Sequence, residues 1–149
     1  MQKLMLCTTS TKNSGKTEFL KSLISFFEKS KAVIFKSETD MYGDLHAVFS
    51  VRGKNVLIQT NGDDDESFKQ IKRVASKYKA EVVICPTRTR GQEQYNILEK
   101  FAEKNGYKVL WFRHVFMEEH PGDCQVLLNK ANEHLACAIF EFVKDYLNN

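Results

Sequence analysis

The order of apolar runs predicts an α/β fold built on a mostly parallel sheet, and three observations carry that expectation. Short strand-like runs at 3–9, 32–36, 81–85 and 107–112 are separated by stretches whose apolar residues recur at helical spacing. Parallel neighbours need such crossovers, and right-handed crossovers lay helices on both faces of the sheet. One interval is different: segments 46–52 and 55–60 flank Gly53-Lys54, a spacing that reads as one antiparallel hairpin.

Each element has its own signal. Lys3 to Thr9 is a buried strand, and Phe19, Leu20, Leu23, Ile24 and Phe27 line one face of the helix after it. Ala32 to Lys36 is the next strand, and the polar run Ser37 to Asp44 a loop. After the hairpin, Asn61-Gly62-Asp63-Asp64-Asp65-Glu66 supplies acids that complement the start of a helix carrying Phe68, Ile71, Val74, Ala75 and Tyr78. Glu81 to Cys85 is a strand and Pro86 to Gly91 a loop; Ile97, Leu98, Phe101 and Ala102 mark a helix that ends near Asn105-Gly106. Tyr107 to Phe112 is the last strand. A polar loop with His114, Glu118, Glu119 and His120 leads to Asp123, the expected N-cap of a long final helix. Its core stripe is expected at Val126, Leu127, Ala131, Leu135, Ala138, Ile139, Phe142 and Tyr146.

At 149 residues the chain is expected to form a single domain, 1–149, long enough to bury a core without disulfide or metal staples. Hydrophobic residues at 42% with charged residues at 28% exclude a disordered or collagenous chain. Cys7, Cys85, Cys124 and Cys137 form no Cys-x-x-Cys pair, and no signal peptide or long apolar run is evident, so a reduced, cytoplasmic setting away from membranes is expected. A net charge of +3 is too small to point to nucleic acid. The basic residues Lys69, Lys72, Arg73 and Lys77 read as a solvated helix face, and a protein partner is not specified.

The chemistry concentrates at Ser10-Thr11-Lys12-Asn13-Ser14-Gly15-Lys16-Thr17, between the first strand and the first helix. A phosphate site needs converging backbone N–H groups, a helix N-terminus behind them, a mobile cation and a hydroxyl for a metal. Thr11, Lys12, Asn13, Ser14 and Gly15 offer the loop backbone, Lys16 the cation and Thr17 the metal-binding hydroxyl. This segment resembles the Walker A motif of P-loop nucleoside triphosphate hydrolases, with Ser10 in place of its first glycine. The resemblance implies a three-layer P-loop NTPase-like sandwich that binds Mg2+ and ATP or GTP, with ATP preferred.

A second metal ligand is expected at the end of a neighbouring strand, and Gln59-Thr60-Asn61-Gly62-Asp63 is the candidate region. It resembles the Asp-x-x-Gly segment of small GTPases, with Gln59 where the acid should be; Asp63 is the substitute chosen. Arg88 and Arg90, just past a strand, are candidates to stabilise charge on a transferring phosphoryl group beside Lys16. Glu38 and Asp40 stand where a kinase would hold an acceptor. The guanine-reading Asn-Lys-x-Asp segment of GTPases is missing, and Asn129-Lys130-Ala131-Asn132 falls inside the expected last helix. The sequence therefore reads as a small NTPase or nucleotide-dependent switch, with a small-molecule or nucleotide kinase and a noncatalytic nucleotide sensor as alternatives.

Overall fold

The computed structural model describes residues 1–10, 16–39, 44–62, 65–88, 92–113 and 124–149. The elements are β1 (Lys3–Ser10), α1 (Lys16–Ser30), β2 (Ala32–Thr39), β3 (Asp44–Val51), β4 (Lys54–Gln59), α2 (Asp65–Lys77), β5 (Val82–Arg88), α3 (Gln92–Lys104), β6 (Tyr107–Phe112) and α4 (Cys124–Asn148). The six strands form one sheet in the order β2-β3-β4-β5-β1-β6. β3 alone runs against the rest: it pairs antiparallel with β2 and β4, whereas β4–β5, β5–β1 and β1–β6 are parallel. The expected hairpin is the β3–β4 pair. Its two-residue turn is Arg52-Gly53, both with positive φ, the conformation whose twist suits a tight hairpin and which glycine adopts at least cost.

Alternation along the strands sorts the core onto two faces. Leu4 and Leu6 of β1, Val56 and Ile58 of β4, and Val82 and Ile84 of β5 pack under α1 and α4. Met5, Cys7, Leu57, Val83 and Cys85 face the other way, under α2 and α3. On the first face Phe27 of α1 is a hub. Its ring lies 5.3 Å from Phe49 of β3 and 4.9 Å from Phe140 of α4, edge-on to the latter. Such aromatic pairs contribute about 0.5–1.5 kcal/mol beyond their buried area.

The expected stripes of α1, α2 and α3 are the ones that face the sheet: Phe19, Leu20, Leu23, Ile24 and Phe27, then Ile71, Val74 and Ala75, then Leu98, Phe101 and Ala102 are buried. The expected stripe of α4 is corrected in part. Leu135, Ile139 and Tyr146 pack against the core as expected, but the buried residues of α4 are Ala136, Phe140, Val143 and Leu147, with Asn132 one turn earlier, while Val126, Leu127 and Phe142 are 62%, 69% and 41% exposed. Two loops also prove shorter than expected, because backbone pairing continues past the apolar runs. Ser37 to Thr39 pair within β2, Asp44 opens β3 opposite Thr39, and Pro86 to Arg88 extend β5 opposite Thr8 to Ser10.

Candidate functional site

At the carboxyl edge of the sheet, β1 runs toward α1 on one face while its neighbour β5 runs toward α3 on the other. Connections that leave adjacent parallel strands in opposite directions open a crevice between them, and ligands of open α/β sheets bind at such a switch point. Here that crevice lies between Ser10 of β1 and Arg88 of β5, which are register partners at the strand ends. Lys16 and Thr17 begin α1 on one side of it, with Thr17 half-buried. The structure thus pairs the backbones of Ser10 and Arg88, while Lys16 and Thr17 open α1. Thr11, Lys12, Asn13, Ser14, Gly15, Asp63 and Arg90 lie outside the described residues, as do Asp40 and the group His114, Glu118, Glu119 and His120.

The edge is braced from both faces. Tyr95 of α3 donates its hydroxyl hydrogen bond to Thr9 Oγ1 at 3.1 Å and stacks on Trp111 of β6, ring centres 4.3 Å apart. On the α1 face Phe112, at the end of β6, meets Phe19 edge-to-face at 5.8 Å. Both aromatic pairs pin helix starts to strand ends, so the crevice has fixed walls. One step deeper, Cys7 and Cys85 touch across β1 and β5 with sulfurs 3.9 Å apart. Burial, reinforced by the Cys85 thiol, pushes the Cys7 thiol well above its ordinary range. A thiol so placed is a packing residue, not a nucleophile.

The expected place of the Gln59 segment relative to β1 is corrected by the strand order. The segment starting at Gln59 was to lie at the end of a strand next to β1, but β5 stands between β4 and β1. That sets Gln59 two strand spacings away, about 10 Å. Its side chain is wholly buried and turned to α2: Nε2 donates to the carbonyls of Asn61 at 3.0 Å and Ser67 at 2.9 Å, while Oε1 has no hydrogen-bond partner among the described residues. Gln59 is thus a brace for the turn into α2. That turn crosses back toward the crevice. Gly62 lies against β5, so close that a Cβ placed on it would be 2.1 Å from the Pro86 carbonyl oxygen. Glycine is required there for this approach, not for an unusual φ. Pro86 is the partner of Thr8, so the chain leading to Asp63 stands one strand from β1.

Other candidates separate from the crevice. On the edge strand β2, Lys36 pairs with Glu28 near the C-terminal end of α1, and Glu38 is exposed. Asn129 and Asn132 lie within α4, as expected, and stand on the wall of a cleft that α4 forms with α1, opposite Glu18. Sequence reasoning missed that cleft, because only the packing of two helices distant in the chain creates it.

No protein-family model and no curated protein matches this chain. Among solved structures, EndoMS in its apo form is similar, with a TM-score of 0.37 and 12% identity, covering 62% of this chain and 45% of that one. This chain therefore spans less than half of the EndoMS chain, and a likeness of that size says nothing of what it binds. The assignment to the P-loop NTPases read from Ser10 to Thr17 is overturned: no model of that family matches the chain. The strand order differs from expectation at one point, since the hairpin strand β4 does not neighbour β1. Among the described residues, no helix is long and apolar enough to cross a membrane.

Proposed function

We propose that this chain binds the phosphates of a magnesium nucleotide, ATP or GTP, in the crevice between β1 and β5, and works as a nucleotide-dependent switch or slow hydrolase. The observation that carries this reading is the switch point itself, with the N-terminus of the 15-residue helix α1 opening beside it. Unpaired N–H groups and the helix dipole make such a terminus a favourable seat for an anion. Lys16 would reach the outer phosphate oxygens and Thr17 would turn its hydroxyl to the cation. Arg88, with Arg90 beyond it, would approach the phosphates from the β5 side and neutralise charge there.

The donors suit magnesium that arrives on the nucleotide. Among the described residues no group of three or more His, Cys, Asp or Glu could hold a metal. Magnesium keeps much of its shell from water and phosphate and asks one or two side chains of the protein, here Thr17 and Asp63. Bound there, it would offset charge on the phosphates. Water attack needs an oriented nucleophile as well. Gln59 is occupied with α2, which favours tight binding with slow or no turnover over rapid hydrolysis.

The test is calorimetric titration of the full chain with ATP and GTP in the presence of magnesium, followed by phosphate release. Saturable binding with slow phosphate release supports a switch or slow hydrolase, and binding without release selects a noncatalytic sensor. Absence of binding by both nucleotides overturns the reading.

A further inference from the structure

The first turns of α1 and α4 enclose a cleft of about 360 Å³, on the face of the sheet opposite α2 and α3. Its polar lining is Glu18 and Ser22 from α1 and Gln125, Asn129, Asn132 and Glu133 from α4. Phe19 and Leu128 supply its apolar part. Asn132 is 8% exposed and Phe19 1%, so these two lie deep, whereas Glu18, Gln125, Asn129 and Glu133 stand at the exposed rim. The volume is at the lower end of the range for small-ligand pockets, roughly 300–1,000 Å³.

The lining has a clear sign. Two carboxylates accept hydrogen bonds and cannot donate them when ionised, the amides and the hydroxyl can do either, and no Lys, Arg or His belongs to the described lining. Among the described residues Glu18 has a loose partner in Lys21, 3.8 Å away on the exposed helix surface. A phosphate or carboxylate compound entering here would meet two like charges and no cation in the described lining. A compound with a protonated nitrogen and a short carbon stem would meet acceptors at the rim and apolar surface at Phe19 and Leu128.

We propose that the α1–α4 cleft is a binding site for a small organic cation, an amine or amidine on a short apolar stem. The site is separate from the crevice and its occupancy needs no nucleotide, so it stands or falls independently of the function proposed above.

The experiment is a ¹H–¹⁵N NMR titration of the full chain, without nucleotide, using 1,4-diaminobutane as the probe. 1,4-Butanediol serves as the uncharged control and inorganic phosphate as the anionic one. The expected result is saturable shifts centred on residues 18–22 and 125–133, at least 10-fold weaker binding of the diol, and no shifts at residues 125–133 with phosphate. Glu133→Gln and Glu18→Gln, both at exposed positions, should each weaken diamine binding at least 5-fold with an unchanged thermal melt. The proposal is overturned if the diamine does not saturate by 10 mM, if the shifts are spread over the surface, if the diol binds equally well, or if both variants keep full affinity.

Discussion

Replacing Gly62 by alanine should be costly although its backbone is one that any residue adopts. The added Cβ would stand 2.1 Å from the Pro86 carbonyl oxygen and 3.1 Å from the carbonyl carbon, where ordinary contact begins near 3.4 Å. One backbone must therefore retreat by about 1 Å, an overpacking whose usual cost is about 1–3 kcal/mol. Pro86 cannot be the one to move, because β5 is held by β1 on one side and β4 on the other. The turn from Asn61 toward α2 yields instead, stretching the bonds from Gln59 to Asn61 and Ser67. Loss of glycine's freedom in the unfolded chain offsets about 0.4–1 kcal/mol of this. Urea unfolding should give Gly62→Ala a net loss of about 1–2 kcal/mol, and a thermal melt should fall by roughly 3–8 °C. Nucleotide affinity should drop as well, since the same turn carries Asp63. An alanine variant with wild-type stability and binding would refute the close crossing of this turn over β5.

Three further outcomes follow from the packing. Gln59→Glu puts a carboxylate against two carbonyl oxygens in a buried site, so it should lose more than about 2 kcal/mol at neutral pH. Burial raises that acid's folded pKa, so the penalty should shrink as pH falls toward its unfolded value near 4.3; denaturant midpoints against pH read this, and a gain in magnesium affinity would instead put the side chain at the metal. Tyr107 donates to the Ala80 carbonyl at 2.6 Å, and burial, with Glu81 nearby, lifts its hydroxyl pKa to about 12. The folded value exceeds the unfolded value near 10, so the contribution is complete well below pH 10 and decays by roughly 2 kcal/mol between pH 10 and 12; alkaline unfolding curves should show this decay in the unaltered chain and not in Tyr107→Phe. In α4, Phe140→Ala should cost about 3–5 kcal/mol in urea unfolding, while Leu127→Ser should stay within about 0.5 kcal/mol; similar losses would mean that the helix faces the sheet differently.

The helices show where sequence suffices. Phe19, Leu20, Leu23, Ile24 and Phe27 are buried as their spacing predicts, because the rest of α1 is mostly polar and its apolar face has one orientation. α4 offers apolar residues around more of its circumference. Spacing alone finds Val126, Leu127 and Phe142 as readily as Ala136, Phe140 and Val143, and contact with Phe27 decides between them. Strand ends were hidden for another reason: Ser37, Thr39 and Thr87 look like loop residues, but ladder bonds depend on backbone and not on side-chain polarity.

The crevice was half legible. The order strand, polar loop, helix locates Ser10 to Thr17 at a sheet edge, and the structure adds Arg88 as the partner of Ser10. The insertion of β5 between β4 and β1 could not be read, since strand order rests on pairings between distant segments. With that insertion, the strand ending at Gln59 is no neighbour of β1, and the Gln59 side chain serves the base of α2. The same long-range packing made the α1–α4 cleft, whose lining residues are over 100 positions apart in the chain.

The central claim is that phosphates are held where β1 gives way to α1. It is tested most directly by the affinity of magnesium-ATP and magnesium-GTP for the unaltered chain, for Lys16→Ala, and for Lys21→Ala as a control one turn along the same helix. The account predicts measurable binding, a loss of at least 10-fold in Lys16→Ala, and less than 2-fold in Lys21→Ala. No binding of either nucleotide, or equal affinity in the unaltered and Lys16→Ala chains, would contradict it.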